Sequence, residues 1–580
     1  MDCIERSVCW KEASPMSQID LSQYLKANVI EASDAAAAQT LIAMIARRNG
    51  ATPNLLGTIL LCLALRTPRD RHTCVDLDQI ADWLTTEGES VQLDLPTDAA
   101  TWLAATKLCP LVFGEPGQST PLIVDQSRVY LNRSFVEEGA IASALTRNNA
   151  KHLHIVLGGP GTGKTREVAM KFIQLFRSGE QDIRVALAAP TGKAAARMRE
   201  VLKSQCDKLK NTPEGNDVNW EAADAAIGSA FSGTVHALLG FGPSRDVRYK
   251  FNADNHLPFD WVVIDEASML PSSMMYRLVE ALNPATSLLL VGDPDQLASV
   301  DAGSVLGDIA KVATQEGSVL FPRTLPMRDQ WRLPKEIDGL ARLLRLETPI
   351  GGQALGNSEH VDAVIKYLQS NKTLISWINP DTDKDELVGV RQKVVDHARQ
   401  LHTAALSGDP QAALNKRQEL QLLCAHREGR TGVSYWNGFV ERELGPYTET
   451  PWYLGRPVMV TRNNRAVDLY NGDVGIIVPG ADGVPVGAFS EGSTFRLVPT
   501  MRLEDVESVH ALTIHKSQGS EYDDVIVVLP NDSSRILTRE LFYTGVTRTK
   551  NRLTIVGNET VVRSAVSQAI RRASGLASRL

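Results

Sequence analysis

The sequence predicts an α/β protein with two helix-covered parallel sheets, a helical region ahead of them and a small β-barrel set into the second. Three observations carry this. From about residue 153, short apolar runs (LHIVLG, RVALAAP, WVVIDEA, SLLLVGD) alternate with longer helix-spaced stretches, as strands buried on both faces and covered by helices do. A second alternating block runs from about 321 to 560 and closes on VIVVLP and RLTIVG. Inside it, from Tyr447 to about Val509, strand-like runs are broken by turns at short spacing.

At 580 residues the chain is too long for a single hydrophobic core, so several domains are expected. Hydrophobic residues at 43% and charged residues at 22% are ordinary for globular protein and exclude wholesale disorder. The net charge of -7 gives no sign of nucleic-acid binding, although a local basic groove can sit on an acidic body. Seven scattered cysteines, none spaced as C-x-x-C, argue against a disulfide framework, a zinc site or a cysteine-ligated cluster. The opening MDCIERSVCWKEAS lacks the basic-then-apolar order of a signal peptide, and Leu55 to Leu65 is too short to span a bilayer. The expectation is a cytoplasmic protein with no membrane segment.

Taken in order, residues 1–127 read as a helical domain. AAAAQTLIAMIA (35–46) and Leu55 to Leu65 use strong helix formers, and no catalytic constellation stands among them. Residues 128–320 form the first α/β domain, with a polar surface loop at KNTPEGNDVN and a short hairpin near 241–260, around Asn252 to Asn255. Residues 321–580 form the second. Its insert, near 447–509, pairs the runs RPVMVT, VGIIVP and TFRLVP with turns at Asn471-Gly472 and Ala481-Asp482-Gly483.

The strongest chemical signal is Gly158-Gly159-Pro160-Gly161-Thr162-Gly163-Lys164-Thr165, a match to G-x-x-x-x-G-K-[ST] between a strand and a helix. Glycines let backbone N–H groups turn onto phosphates, and the helix amino terminus adds favourable partial charge. Lys164 is expected to reach the β and γ phosphates of ATP, and Thr165 to ligate Mg²⁺. Asp265-Glu266 follows the apolar run WVVI, at the strand end where open α/β sheets bind ligands. Asp265 is expected to hold Mg²⁺ through water and Glu266 to deprotonate the attacking water.

Gln296, in GDPDQ after SLLLV, is placed to sense the γ-phosphate, and Arg332 (QWR) and Arg548 (GVTRTK) to stabilise transition-state charge from the second domain. Candidate nucleic-acid contacts are Pro190, Thr191 and Lys193 in PTGK; Thr234 and His236 in TVHALLG; and Thr513, His515, Lys516 and Gln518 in TIHKSQG. Such loops offer hydroxyls, backbone N–H groups and cations, which grip phosphates without reading bases.

In this order, GGPGTGKT, APTGKAAARM, TVHALLG, VVIDEASML, LVGDPDQL, QWR, LTIHKSQGSEYDDVIVV and LFYTGVTRTKNRL resemble the successive motifs of superfamily 1 helicases, over about 128 to 560. Within that superfamily, APTGKAAARM, VIDEASML, LLCAHREG and GRPVMVTRN…LYNGDVGI are most similar to the RecD family, the α subunits of exodeoxyribonuclease V. The resemblance implies two RecA-like motor domains, an SH3-like form for the inserted barrel, and a 5′→3′ translocase on single-stranded DNA that acts at duplex ends beside RecB-like and RecC-like chains. The N-terminal domain would dock RecC. It also places Arg133, Phe135 and Glu521 beside the nucleotide.

There are departures. Arg133-Ser134-Phe135-Val136-Glu137-Glu138 stands where the family reads an aromatic pair and glutamines, and Trp331 and Leu333 flank Arg332 where Tyr and Phe are common. A stand-alone helicase, or an ATP-switched DNA-binding subunit, remains open at this level.

Overall fold

The computed structural model describes residues 19–49, 53–84, 93–146, 153–177, 182–242, 249–327, 333–345, 357–464, 466–491 and 494–580. They fall into two compact units: one of Met1–Gly139 with Asp301–Gly303 and Arg572–Gly575, the other holding the remainder.

The first unit corrects the expectation of a helical domain. Helices Ala32–Asn49 and Leu55–Arg66 are present, the second with all of Gly57 to Ala64 buried. Beside them stands a sheet of β1 (Cys74–Asp76), β2 (Phe113–Gly114), β3 (Leu122–Asp125) and β4 (Arg128–Leu131), in the order β1-β4-β3-β2. Strands this short carry almost no readable period. The β3–β4 hairpin turns at Gln126, φ 55°, with none of the Asn or Gly that usually marks such a turn. Glu138, fully buried, anchors the C-terminal segment here. It accepts from Thr73 Oγ1 (2.5 Å), Ser574 Oγ (2.8 Å) and Gly575 N (3.2 Å).

In the second unit, β5 (Leu153–Gly158), β6 (Val185–Ala189), β7 (Phe231–Thr234), β8 (Trp261–Ile264), β9 (Ser287–Gly292) and β10 (Thr324–Met327) form an all-parallel sheet in the order β10-β5-β9-β8-β6-β7. Side chains alternate between two cores, as strand geometry requires: Val262 and Ile264 enter one, Trp261 and Val263 the other. The predicted boundary at 320/321 is corrected by β10, which pairs with β5. Its Pro326 is tolerable because β10 is an edge strand, where a missing N–H breaks no ladder. The hairpin expected near 241–260 is reduced to a single antiparallel bridge, Asn252 to Asn255, ahead of β8; residues 243–248 lie outside the described residues.

The second parallel sheet begins with β11 (Ile375–Ile378) and β12 (Leu420–Cys424). An insertion follows: β13 (Pro457–Val460), β14 (Val474–Pro479), β15 (Pro485–Glu491), β16 (Thr494–Pro499) and β17 (Val506–Ser508), antiparallel throughout in the order β16-β15-β14-β13-β17. The chain then returns to β18 (Ala511–Thr513), β19 (Tyr522–Val528) and β20 (Thr549–Val556), and the parallel order is β11-β20-β19-β12-β18. Leu422, Ile526 and Val528 pack on one face, Leu423, Val525 and Val527 on the other. No helix among the described residues is long and apolar enough to cross a membrane.

Candidate nucleotide and strand-binding site

Register in the first sheet decides what meets at its carboxyl edge. Leu157 lies opposite Gly292, and Ile264 opposite Leu290. The phosphate loop after β5, the sensor loop after β9 and the acid pair after β8 therefore emerge side by side from three neighbouring strands. Ligands bind at this edge of an open α/β sheet.

The loop is a cradle that only its glycines permit. Gly161 and Gly163 take φ of 78° and 89°, which L side chains rarely adopt. A Cβ on Gly158 would lie 2.7 Å from Thr162 Oγ1 and 2.8 Å from the Met327 carbonyl. Gly163 caps helix Lys164–Leu175, so the unpaired N–H groups of its first turn face the loop. Lys164 Nζ donates to the Gly158 (2.6 Å) and Gly159 (2.9 Å) carbonyls, and Thr165 is the next helical residue.

Burial, together with the adjacent Glu266 charge, pushes the Asp265 carboxyl up to about 6, against the pull of the Glu266 N–H (2.9 Å), Lys164 and Arg197. Two carboxylates side by side in a partly buried edge, with a threonine hydroxyl on the neighbouring loop, are a hard-oxygen donor set of the kind Mg²⁺ takes. Glu266 itself sits at φ 50°, ψ 40°, a left-handed conformation unusual for a side-chain-bearing residue. Such strain clusters at functional positions.

Gln296 is buried, and its Nε2 donates to Asp293 Oδ2 at 3.0 Å. The same oxygen accepts from Tyr543 Oη at 2.9 Å, on helix Arg539–Val546 below the second sheet. One residue on, Leu297 N–H donates to Thr544 Oγ1 (3.1 Å), and its carbonyl accepts from Gln518 Nε2 (3.1 Å). Gln518, expected among the nucleic-acid contacts, thus ties its loop to the sensor loop. Replacing Tyr543 by phenylalanine removes one donor from a buried carboxylate. It is expected to lower kcat for ATP hydrolysis about tenfold, the equivalent of roughly 1.4 kcal/mol, with little change in KM. Steady-state kinetics check this, and an unchanged kcat would show that Gln296 is held without the tyrosine.

Arg548 is buried at 3% exposure. Its Nε donates to the Thr544 carbonyl (3.1 Å) and Nη1 to the Ser520 carbonyl (3.2 Å). Burial weakens its hold on the proton, and Glu266 is the strongest opposing influence, ahead of Tyr543 and Asp293. The second sheet's arginine therefore feels the first sheet's acid. Arg332 lies outside the described residues.

The strand-contact candidates share one local design. Thr191 follows β6, Thr234 ends β7 and Thr513 ends β18, and each accepts from the N–H three residues on: Ala194 (3.3 Å), Ala237 (3.1 Å) and Lys516 (3.2 Å). Thr191 caps the helix Gly192–Leu209, and Thr234 and Thr513 open short turns, all at a sheet's carboxyl edge. Pro190 precedes Thr191 after β6. Lys193 Nζ donates to Ser520 Oγ (2.8 Å); burial, with Arg417 and Arg197 nearby, pushes its ammonium down to about 8 against the pull of Asp473. His236 is exposed beside the rings of Phe241 (5.7 Å) and Tyr249 (6.4 Å). His515 lies in the turn His515–Ser517, and Lys516 pairs with Glu507.

Glu521, expected beside the nucleotide, pairs with Arg197 at 3.5 Å. Arg133 and Phe135 lie on helix Asn132–Thr146, where Arg133 bonds Glu137 (2.7 Å) and Phe135 meets Tyr130 edge-on at 5.6 Å. Sequence reasoning missed Arg197, Tyr543, Thr544 and Tyr470, whose ring would lie 3.0 Å from a Cβ on Gly192. Only Arg197 carried a signal: it stands four residues after Lys193, on the same helix face, and its Nη1 reaches the Gly519 carbonyl at 3.0 Å.

A phosphate loop, an acid pair and a sensor glutamine on one parallel sheet, faced by an arginine from a second, define a nucleotide-driven motor of the helicase class. Three family profiles match: "RecBCD enzyme subunit RecD, N-terminal domain" over residues 26–130, "AAA domain" over 140–302 and "UvrD-like helicase C-terminal domain" over 508–556. The RecBCD enzyme subunit RecD of Mycolicibacterium smegmatis is 37% identical, covering 96% of this chain and 98% of that one. The protein of the same name from Mycobacterium tuberculosis is 37% identical, covering 96% of each chain. The ATP-dependent RecD2 DNA helicase of Deinococcus radiodurans is 28% identical, covering 72% of this chain and 48% of that one. Among solved structures, Bacteroides Pif1 bound to single-stranded DNA aligns at a TM-score of 0.35 and 17% identity, covering 73% of this chain and 93% of that one. The chain belongs to the RecD family.

Proposed function

We propose that this chain is the ATP-driven 5′→3′ helicase subunit of a RecBCD-type helicase–nuclease, translocating on single-stranded DNA from duplex ends in double-strand break repair in the cytoplasm. RecB-like and RecC-like chains are its partners, with RecC docking on the N-terminal unit. The two parallel sheets are its RecA-like motor domains and the five-stranded insert its SH3-like barrel. The observation that carries the motor reading is the helix Arg539–Val546 of the second sheet seated on the sensor loop of the first, with Tyr543 Oη on Asp293 Oδ2 (2.9 Å) and Thr544 Oγ1 on the Leu297 N–H (3.1 Å), and Arg548 two residues past its end.

Lys164 and the loop N–H groups hold the ATP phosphates, and Glu266 takes a proton from the attacking water. Gln296 reports whether the γ-phosphate is present, and Arg548 meets the charge that develops on transfer. Thr165 and Asp265 would hold Mg²⁺, which would supply positive charge against the ATP phosphates. Closure of the two sheets on ATP is passed to the strand by loops that sit on both: the turns at Thr191 and Thr234 on one, that at Thr513 on the other. Lys193, His515 and Lys516 bring cations to that path, and His236 with Phe241 and Tyr249 offers a surface on which bases can stack.

Strand displacement on duplexes with a 5′ or a 3′ single-stranded tail tests direction. Unwinding is expected from the 5′ tail. Unwinding from the 3′ tail alone would overturn the assignment.

A further inference from the structure

Where the chain leaves the second parallel sheet to build the insert, and where it comes back, a buried cation stands without a counter-charge among the described residues. Helix Pro410–Gln418 turns Ala413, Leu414 and Arg417 inward, and Arg417 is 7% exposed. A guanidinium stays charged under all ordinary conditions. Yet Arg417 Nε and Nη1 have no hydrogen-bond partner among the described residues. A small cavity of about 10 Å³ is lined by Arg417, His397, Gln421, Pro457, Val509 and His510, among others. Pro457 and Val509–His510 stand at the outgoing and the returning chain crossing between the two sheets.

The polar groups around it are already engaged, and none supplies negative charge. Gln421 Nε2 donates to the Val509 (3.3 Å) and His510 (3.2 Å) carbonyls. His397 Nε2 lies 3.0 Å from the Lys416 carbonyl. His510 Nε2 lies 2.8 Å from Tyr453 Oη. Burial pushes both histidines below their ordinary range, His510 to about 3, so neither ring is charged near neutral pH. Of the nearby acids, Glu441 accepts from Ser508 Oγ at 2.6 Å, and Glu419 pairs with Lys416 at 2.9 Å. Asp473 accepts from the Tyr470 N–H at 2.7 Å and makes no ion pair with Arg417 among the described residues. The Arg417 charge also reaches Lys193, a half-buried cation.

We infer that this cavity binds a monatomic anion, chloride in the cell, held by Arg417 at the root of the inserted sheet. A buried charge without a partner is strongly destabilising, and a bound counter-ion removes that cost. Size selects the anion. The space of about 10 Å³ is that of one small particle, so a chloride, somewhat larger than a water, fills it with a slight outward shift of the lining, whereas phosphate esters and nucleotides need far more room. With the ion in place, both crossings are fixed around one charge pair, which sets how the insert stands on the motor sheet. The inference does not depend on the helicase assignment.

The test is thermal unfolding of the full chain, titrating sodium chloride against sodium gluconate at constant ionic strength, for the wild type and for Arg417→Met, which fills similar volume without charge. The expected result is a saturable rise in melting temperature with chloride for the wild type and no rise for the variant. Melting that ignores the exchange of anions in the wild type, as it would if the cavity held water, would overturn the inference. So would a chloride effect that survives in Arg417→Met. Should the variant not fold, crystals of the wild type grown in bromide decide the matter: an anomalous peak beside the Arg417 guanidinium supports the site, and its absence refutes it.

Discussion

Replacement of Arg548 by alanine is expected to lower kcat for DNA-stimulated ATP hydrolysis by about 10³-fold or more, the range an arginine aimed at a transferring phosphoryl group supplies. The reasons are geometric and electrostatic. Arg548 follows helix Arg539–Val546 of the second sheet, and two backbone carbonyls, those of Thr544 and Ser520, fix its guanidinium. Among charges acting on it, Glu266 of the first sheet ranks first. A cation held this rigidly pays little reorganisation when charge develops nearby. The truncation also takes the Arg548 donor from the half-buried Ser520 carbonyl and one of two donors from the Thr544 carbonyl, which keeps Thr547 Oγ1 at 3.2 Å; a lost partner of this kind costs about 1–3 kcal/mol, so the melting temperature falls as well. Arg548→Lys separates the two effects. It keeps the charge and loses the planar fork, so it should recover much of the stability and little of the rate. Steady-state kinetics and thermal unfolding read both quantities. Wild-type kcat in a folded Arg548→Ala protein would make the arginine a purely structural tie.

Lys164→Ala is expected to cost about 10²- to 10³-fold in kcat, as removal of a preorganised donor does, and to abolish strand displacement. Lys164 is the first residue of helix Lys164–Leu175, and its ammonium already bridges the Gly158 and Gly159 carbonyls. The loop therefore arrives ordered around the lysine. Alanine is a good helix former at that position, so the fold should survive and the loss should be one of chemistry. Circular dichroism and melting establish the fold, and ATP hydrolysis with and without single-stranded DNA establishes the loss. Hydrolysis that persists in the variant, or that is indifferent to DNA in the wild type, would remove the motor reading.

How much of this was readable depended on whether the device is local. The phosphate loop is eight consecutive residues (Gly158 to Thr165) whose backbone does the work, so its glycines could be recognised without a partner in view. The strands at 153–158, 185–189, 261–264 and 287–292 were readable because burial on both faces leaves an unbroken apolar run. The four-stranded sheet of the N-terminal unit was not, because its strands are short and its hairpin turns on Gln126. Nor was β10: TLPM contains a proline, and only an unpaired edge makes that acceptable.

Gln518 shows the limit most clearly. Its motif pointed to the nucleic-acid strand, whereas the structure turns its amide onto the Leu297 carbonyl, far away in the chain. Glu521 behaves likewise, meeting Arg197. Arg332, also singled out by sequence, lies outside the described residues.

By itself, then, the sequence determined the chemistry that contiguous segments can hold: a glycine-built phosphate cradle, an acid pair at a strand end, and a β insert marked by turns. Tertiary structure alone decided which of these face one another. Tyr543 against Asp293 and Arg197 against Glu521 are encounters between side chains distant in sequence, and Arg548 is brought within the electrostatic reach of Glu266 in the same way. Sheet order and register set them, through pairings made along the whole length of the strands. No local pattern of residues encodes that information, because a hydrogen-bonded ladder joins backbones and leaves the choice of neighbour to the packing of both faces.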